Sequence, residues 1–297
     1  MAKRVLITGS EGFTGRYVCQ EFQSAGWEVW GAGVTSISDR DHYLTIDLLK
    51  PETLKPIADV VKPDVVVHLA ASAFVAEHDA TIFYHTNLLG TRNLLEALCQ
   101  SLSPPDCTIL ASSANVYGNS DLEVLSEESP THPANDYAVS KLAMEYLAKT
   151  YYDRLPIIIT RPFNYTGVGQ SERFLIPKIV NHFKRRAEII ELGNLDVARE
   201  FSDVRDVVKI YHLLAECKPV GETINLCSGA PIALWDCLHM AMELSSHDIE
   251  IKVNPAFVRD NEIKRLSGDR RKLESLIATP KPRPFKETLA WMLENFH

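Results

Sequence analysis

The sequence predicts an α/β protein: a doubly wound parallel sheet with a smaller α/β C-terminal lobe. Three observations predict it. Short β-branched runs alternate with amphipathic stretches through the first 160 residues, the pattern of right-handed crossovers between parallel strands. A glycine-rich turn joins the first run to the first amphipathic stretch. After Pro162 the rhythm breaks, so the remaining chain belongs to a different layer or lobe.

Residues 5–8 (Val-Leu-Ile-Thr) form a short buried strand. Over 13–25, Tyr17, Val18 and Phe22 follow a helical period, and Gly26 stands where a C-terminal stop belongs. Residues 28–32 and 43–46 are further strands, followed by a helix over 52–61 that closes before Pro63. The apolar run at 64–71 suits a strand covered on both faces. A long helix is predicted over 80–102, a strand over 108–112, a helix over 136–154 and a sixth strand over 156–161. Beyond lie a helix at 174–186, a strand at 189–192, an irregular stretch to 202, a helix at 204–217 and a strand at 222–226. A helix at 234–244, a strand at 249–253 and a helix at 285–296 complete the chain. The expected division is a nucleotide-binding domain over 1–163, to which the chain returns at about 200–228, with 164–199 and 229–297 forming the second lobe. A ligand then sits in the cleft outside the carboxyl ends of the strands.

Composition narrows the function. The 297 residues are 45% hydrophobic and 24% charged, which excludes a disordered chain. A formal net charge of −8 argues against a nucleic-acid partner, which calls for a basic stripe. No run of about 18 apolar residues suits a membrane span. The N-terminus enters a strand pattern at once, with no signal-peptide core, and the six cysteines show no C-x-x-C. A cytoplasmic protein with reduced thiols is the expectation.

Gly9-Ser10-Glu11-Gly12-Phe13-Thr14-Gly15 gives G-x-x-G-x-x-G between a strand and a helix. Glycine permits the tight turn, the close approach of backbone to a pyrophosphate and the packing of helix on strand. The anion then meets free N–H groups at a helix N-terminus. The spacing resembles that of the extended short-chain dehydrogenase/reductase family, which implies a Rossmann-like fold and a nicotinamide dinucleotide. Gly9, Glu11, Gly12, Phe13 and Gly15 are the expected loop contacts. The end of the second strand, Gly31 to Ser36, lacks the carboxylate that normally accepts from the adenosine 2′-OH. Ser36, Ser38 or Arg40 could donate to a 2′-phosphate, so NADPH is favoured over NADH, with a solvated loop charge the plainer alternative for Arg40. The resemblance further implies that Asp47 and Leu48 contact the adenine and that backbone at Ala70 and Ala71 passes the cofactor.

Tyr137-Ala138-Val139-Ser140-Lys141 is Tyr-x-x-x-Lys, which on a helix puts phenol and ammonium on one face. Ten tyrosines make that spacing weak evidence alone; its position after the fifth strand gives it weight. In the family the serine five residues before a strand-end glycine completes the site, which here is Ser113, ahead of Gly118. Arg161-Pro162-Phe163-Asn164 is another family-like signature. A free phenol titrates near ~10, and a neighbouring ammonium, together with the positive nicotinamide of an oxidised cofactor, is expected to lower that value. Lys141 is also expected to hold the nicotinamide ribose.

Family 4,6-dehydratases carry Glu three residues before the strand-end glycine, and certain epimerase-reductases carry Cys; here the position is Asn115. One proton-transferring residue, Tyr137, suits a single keto reduction. The segment 192–207 is similar to the family's sugar-nucleotide segment; Arg199 is expected to grip the diphosphate, Arg259 to serve as a second clamp, and Asn115 and Asn164 to lie near the sugar. Surface ion pairs with Glu200 or Asp260 are the plainer alternatives for the arginines. The resemblance thus implies NAD(P)H-dependent reduction of a nucleotide-linked 4-keto-6-deoxyhexose, GDP-4-keto-6-deoxy-D-mannose giving GDP-D-rhamnose. Alternatives are an NAD-retaining 4-epimerase, a 4,6-dehydratase and a non-enzymatic dinucleotide sensor. The family implies a homodimer through the Tyr-x-x-x-Lys helix, although Leu142, Tyr146 and Leu147 could equally be intramolecular core.

Overall fold

The structure, a computed structural model, describes residues 2–37, 41–73, 79–258 and 264–295. β1 (Arg4–Thr8) runs through the glycine turn into α1 (Phe13–Ser24), followed by β2 (Glu28–Gly33) and β3 (Tyr43–Thr45). A 3₁₀ turn at Pro51–Leu54 and a π-helical turn at Ile57–Val61 lead to β4 (Val65–His68). Next come α2 (Thr81–Phe83), a π-helical stretch at Tyr84–Gly90, α3 (Thr91–Cys99) and β5 (Cys107–Ala111). A 3₁₀ turn at Ala114–Tyr117 precedes α4 (Asp136–Lys149), β6 (Ile157–Pro162) and the two-residue β7 (Tyr165–Thr166). The chain continues through α5 (Leu175–Lys184), β8 (Ile189–Leu192), β9 (Ala198–Arg199), β10 (Ser202–Asp203) and α6 (Val204–Cys217). It ends with β11 (Thr223–Leu226), β12 (Ile232–Ala233), α7 (Leu234–Ser245), β13 (Glu250–Val253), β14 (Arg265–Leu266), α8 (Arg271–Leu276) and α9 (Phe285–Asn295).

Seven parallel strands form the central sheet in the order β11-β6-β5-β4-β1-β2-β3. The chain winds outward in opposite directions from β1, so the crevice at the carboxyl ends of β1 and β4 is the topological switch point where ligands bind. Alternate side chains of β1 feed opposite faces, as the strand period of two requires. Val5 and Ile7 pack with Phe22 of α1 and Tyr211 of α6, while Leu6 packs with Leu94 of α3 and Met144 of α4. A third apolar cluster joins α5, α7 and α9 through Ile179, Leu238 and Leu289, beside the β8–β13 pair. No helix among the described residues is long and apolar enough to cross a membrane.

Several elements differ from the sequence-based expectation. The helix predicted over 80–102 is broken by the wider turns at Tyr84–Gly90 and ends at Cys99. A Cβ at Gly90 would lie 2.9 Å from the Leu48 side chain, so glycine lets that stretch seat against the core. The helix predicted over 52–61 is two separate turns, and the one over 136–154 stops at Lys149. The stretch before 202 contains β9, which gains its partners β12 and β14 only from distant chain.

Candidate active site

The glycine turn leaves no space for side chains. Gly9 has φ +70, and a Cβ there would lie 2.8 Å from the Ala70 nitrogen; at Gly15 it would lie 2.1 Å from the Gly9 carbonyl oxygen. At Gly12 it would lie 3.2 Å from that same oxygen. α1 then starts without a side-chain cap, leaving its N-terminal dipole beyond the end of β1, the arrangement that attracts an anion. The structure therefore brings Gly9, Gly12, Gly15 and Ala70 together. Glu11 Oε1 accepts from Ser10 Oγ at 3.2 Å. Phe13 stacks on Tyr165, whose hydroxyl lies 2.7 Å from Thr14 Oγ1, so the loop is tied to the strand following Asn164. Sequence reasoning missed Tyr165, whose partners come from the other end of the domain.

The edge of the crevice is looser. Ser36 is exposed beyond β2. Tyr43 donates to the Thr35 carbonyl at 3.0 Å, and its hydroxyl would lie 2.8 Å from a Cβ at Gly33. Ser38 and Arg40 lie outside the described residues. Asp47 accepts from the Leu49 N–H and pairs with Lys50 at 3.3 Å, while Leu48 is buried in the core. Ala71 is half-buried just beyond Ala70.

Ser113, Tyr137 and Lys141 are nearly closed to solvent. Asn135 caps α4 by accepting from the Ala138 N–H at 2.9 Å, which fixes where the helix begins and hence where Tyr137 points. Ser113, at the end of β5, hydrogen-bonds Tyr137, and Phe83 meets the Tyr137 ring edge-on at 5.8 Å. Lys141 Nζ donates to the Ala111 carbonyl at 2.8 Å. The expected lowering of the Tyr137 pKa by Lys141 is not found. Burial pushes this phenol up to about 12, with the Ser113 hydrogen bond acting in the opposite direction. Burial also pulls Lys141 down to about 8, opposed by Glu145. Desolvation of both groups outweighs their mutual influence.

Other residues brace this trio. Asn87 Nδ2 donates to Ser140 Oγ at 3.0 Å and to the Ser72 carbonyl at 3.1 Å. His68 is held between Thr8 and Thr91 at 2.7 and 2.9 Å, and burial lowers its pKa to about 3. Glu145 receives two hydrogen bonds from Arg161, at 2.9 and 2.6 Å, and one from Ser112 at 2.5 Å. Sequence reasoning named Arg161 only as part of a signature and passed over Glu145, although it lies one turn beyond Lys141 on the same helix face.

Toward the second lobe, Asn115 is exposed, and its N–H donates to Ser113 Oγ at 3.2 Å. Asn164 is exposed, and its carbonyl accepts from the Ser202 N–H at 2.9 Å, joining it to the segment that carries Arg199. Arg199 is half-buried on β9 and donates to the Ala198 carbonyl at 2.9 Å. Glu200 is fully buried, its carboxylate accepting from Ser228, Gly229, Ser267 and Gly268. Arg259 lies outside the described residues. Among the described residues no cluster of histidine, cysteine and carboxylate side chains could hold a metal ion.

The sequence pattern of the NAD dependent epimerase/dehydratase family matches residues 5–227. The chain is 35% identical over 277 residues to GDP-6-deoxy-D-talose 4-dehydrogenase of Aggregatibacter actinomycetemcomitans, covering 92% of this chain and 91% of that protein. It is 31% identical to GDP-6-deoxy-D-mannose reductase of Pseudomonas aeruginosa, covering 100% of this chain and 98% of the other. Among solved structures, a candidate epimerase from Burkholderia cenocepacia J2315 superposes with a TM-score of 0.92 at 48% identity, covering 98% and 97% of the two chains. RMD from Pseudomonas aeruginosa, complexed with NADPH, superposes with a TM-score of 0.87 at 30% identity, covering 99% of each.

Proposed function

The chain belongs to the NAD dependent epimerase/dehydratase family, the extended short-chain dehydrogenases/reductases, and from that premise we propose that it reduces the 4-keto group of a nucleotide-linked 4-keto-6-deoxyhexose. The substrate is GDP-4-keto-6-deoxy-D-mannose, the product GDP-D-rhamnose and the cofactor NADPH in preference to NADH. The observation that carries the reading is the buried phenol of Tyr137, hydrogen-bonded to Ser113, with Asn115 where a dehydratase needs a carboxylate.

The residues of the crevice fit a dinucleotide. The tight glycine turn, packed against Ala70 and against its own backbone, together with the uncapped start of α1, suits a pyrophosphate. Gly9, Gly12 and Gly15 hold it there, flanked by Glu11 and Phe13, with Ala70 and Ala71 along the nicotinamide side. Ser36, Asp47 and Leu48 are the adenosine end, and Lys141 holds the nicotinamide ribose. NADPH bound there supplies a hydride to carbon 4.

Reduction also requires a proton on the carbonyl oxygen. A phenol held near 12 is protonated at neutral pH and so carries the proton to be delivered. Ser113 orients the reacting oxygen. Such general-acid help is worth about 10²–10⁴ in rate. Segments 164–199 and 229–297 hold the sugar nucleotide, with Arg199 and Arg259 on the diphosphate and Asn115 and Asn164 near the hexose. Two copies pair across α4, where Val139 and Tyr146 are 38% and 62% exposed while Leu142 and Leu147 pack inward; light scattering tests this.

The two named GDP-sugar relatives support the substrate class, since 6-deoxytalose and 6-deoxymannose differ only at carbon 4. The test mixes the protein with GDP-4-keto-6-deoxy-D-mannose and NADPH or NADH. Loss of nicotinamide absorbance, with a large proton 3–proton 4 coupling in the product, is expected. A small coupling identifies the talo product, and no absorbance loss with either cofactor refutes reduction. The similarity to the Burkholderia protein favours a second reading, a dinucleotide-retaining 4-epimerase. It requires cofactor to copurify and product to form without net cofactor consumption.

A further inference from the structure

Glu145 lies four residues after Lys141 on α4 and is 1% exposed. Arg161 reaches it from β6 with both forks of its guanidinium, at 2.9 and 2.6 Å. Ser112, the neighbour of Ser113, donates to it at 2.5 Å. Arg161 in turn donates to the Tyr117 hydroxyl at 3.0 Å, and Tyr117 donates to Asn225 Oδ1 at 2.6 Å. One carboxylate thus ties the catalytic helix to the ends of two central strands. A carboxylate sealed from water needs several donors, and here each oxygen has at least one.

We propose that Glu145 is a positioning residue for the reduction: its buried carboxylate, clamped by Arg161 and Ser112, keeps Lys141 in the ammonium form and holds the Tyr137–Lys141 face against Ser113. The role in reduction rests on the function proposed above; the charge relation does not. Lys141 is 5% exposed, and burial alone drives it toward the neutral amine. Among the described residues the anion that offsets this burial is Glu145. On α4 the other titratable group on that face is Tyr137, held as neutral phenol. His68 on β4 is neutral at ordinary pH. From the helical segments packed on α4, Tyr84 is bonded to Asp136 and Glu96 to Tyr151, while His85 and Arg92 are exposed. Tyr117 lies beyond Arg161.

The test reads the Lys141 side chain directly, in cofactor-free protein labelled with [¹³C]lysine, by following its Cε resonance against pH; Lys141→Met assigns the signal. Glu145→Gln is expected to lower the titration midpoint by about one unit, tenfold in proton affinity. Because Glu145→Gln leaves Arg161 buried and unpaired and could fail to fold, the comparison is repeated without the Arg161 cation: Glu145→Gln/Arg161→Gln is expected to titrate about one unit below Arg161→Gln. Glu145→Asp, which keeps the charge, should stay within about 0.3 units of the parent. Equal midpoints in Arg161→Gln and Glu145→Gln/Arg161→Gln overturn the proposal. In the enzymatic assay the alkaline limb of kcat/KM should move to lower pH with the midpoint; a uniform loss of activity at every pH, with the limb in place, also overturns it. If the midpoint shifts but no nucleotide sugar is reduced, the proposed reaction falls while the charge relation stands.

Discussion

At Gly9 and Gly15 one added carbon would collide with backbone, whereas Asn115 and Asn164 stand exposed and Arg199 sits on a strand of two residues. The cofactor side of the cleft is made from the first strand, the first helix and α4, all packed into the two faces of one sheet. The side proposed for the sugar nucleotide is made from short pairings between segments far apart in the chain, β9 with β12 and β14, and β7 with β10. On the proposed assignment, the contrast separates the residues of the chemical step from those that bind the sugar nucleotide. The residues proposed to move the proton are fixed by the core, whereas those proposed to choose the sugar hang on short strands.

Substitutions on the two sides should therefore fail differently. The largest effect expected is at Tyr137: Tyr137→Phe should lower kcat by about 10²–10⁴-fold while NADPH binding, followed by nicotinamide fluorescence, stays within about threefold. Next is Gly15→Ala, whose Cβ would press on the Gly9 oxygen. Overpacking of about 1–3 kcal/mol should weaken NADPH binding roughly 5- to 150-fold in a titration. Arg199→Gln should do the converse, raising KM for the sugar nucleotide by roughly 10- to 150-fold for a lost charged hydrogen bond and leaving the cofactor Kd alone. If Arg199→Gln weakened the cofactor as well, the two sides would not be separable.

The smallest effect concerns stability. Lys141 is lowered to about 8 in the folded protein from an ordinary 10.5. The unfolded chain therefore binds the proton more tightly, and burial of the ammonium destabilises the fold at every pH below about 8. That penalty fades as pH rises from about 8 to 10.5. Lys141→Met should raise Tm at pH 7 by a few degrees, with the gain shrinking across that same window, although loss of the bond to the Ala111 carbonyl offsets part of it. A gain that did not shrink with pH would assign the effect to packing alone.

Much of the cofactor side was legible because its signals are local. Gly-x-x-Gly-x-x-Gly and Tyr137-x-x-x-Lys141 are read off one turn and one helix face. Glu145 continues that face and was passed over, because a glutamate on a helix reads as a solvated charge until Arg161 is brought to it from another strand. The direction of the Tyr137 shift was misjudged for a related reason: spacing shows which charges are neighbours but not how far water is excluded from them. A 3.6-residue period also cannot reveal the π-helical turns at Tyr84–Gly90, whose last residue seats against Leu48. α8 has only six residues, too few for a period to show. Asn115 and Asn164 had no local signal beyond family likeness, and the structure gives each an exposed place rather than a partner that would define its role.

Glu200 carries a consequence for any attempt to dissect the molecule. The recognisable family stretch stops at residue 227, and the donors that satisfy this anion begin at Ser228 and end at Gly268. A fragment cut at that boundary would strip this carboxylate of those donors and of the chain that covers it, so the nucleotide-binding half is not expected to stand unchanged alone. The last seventy residues thus complete the part that precedes them, supplying the dipoles that its buried anion needs.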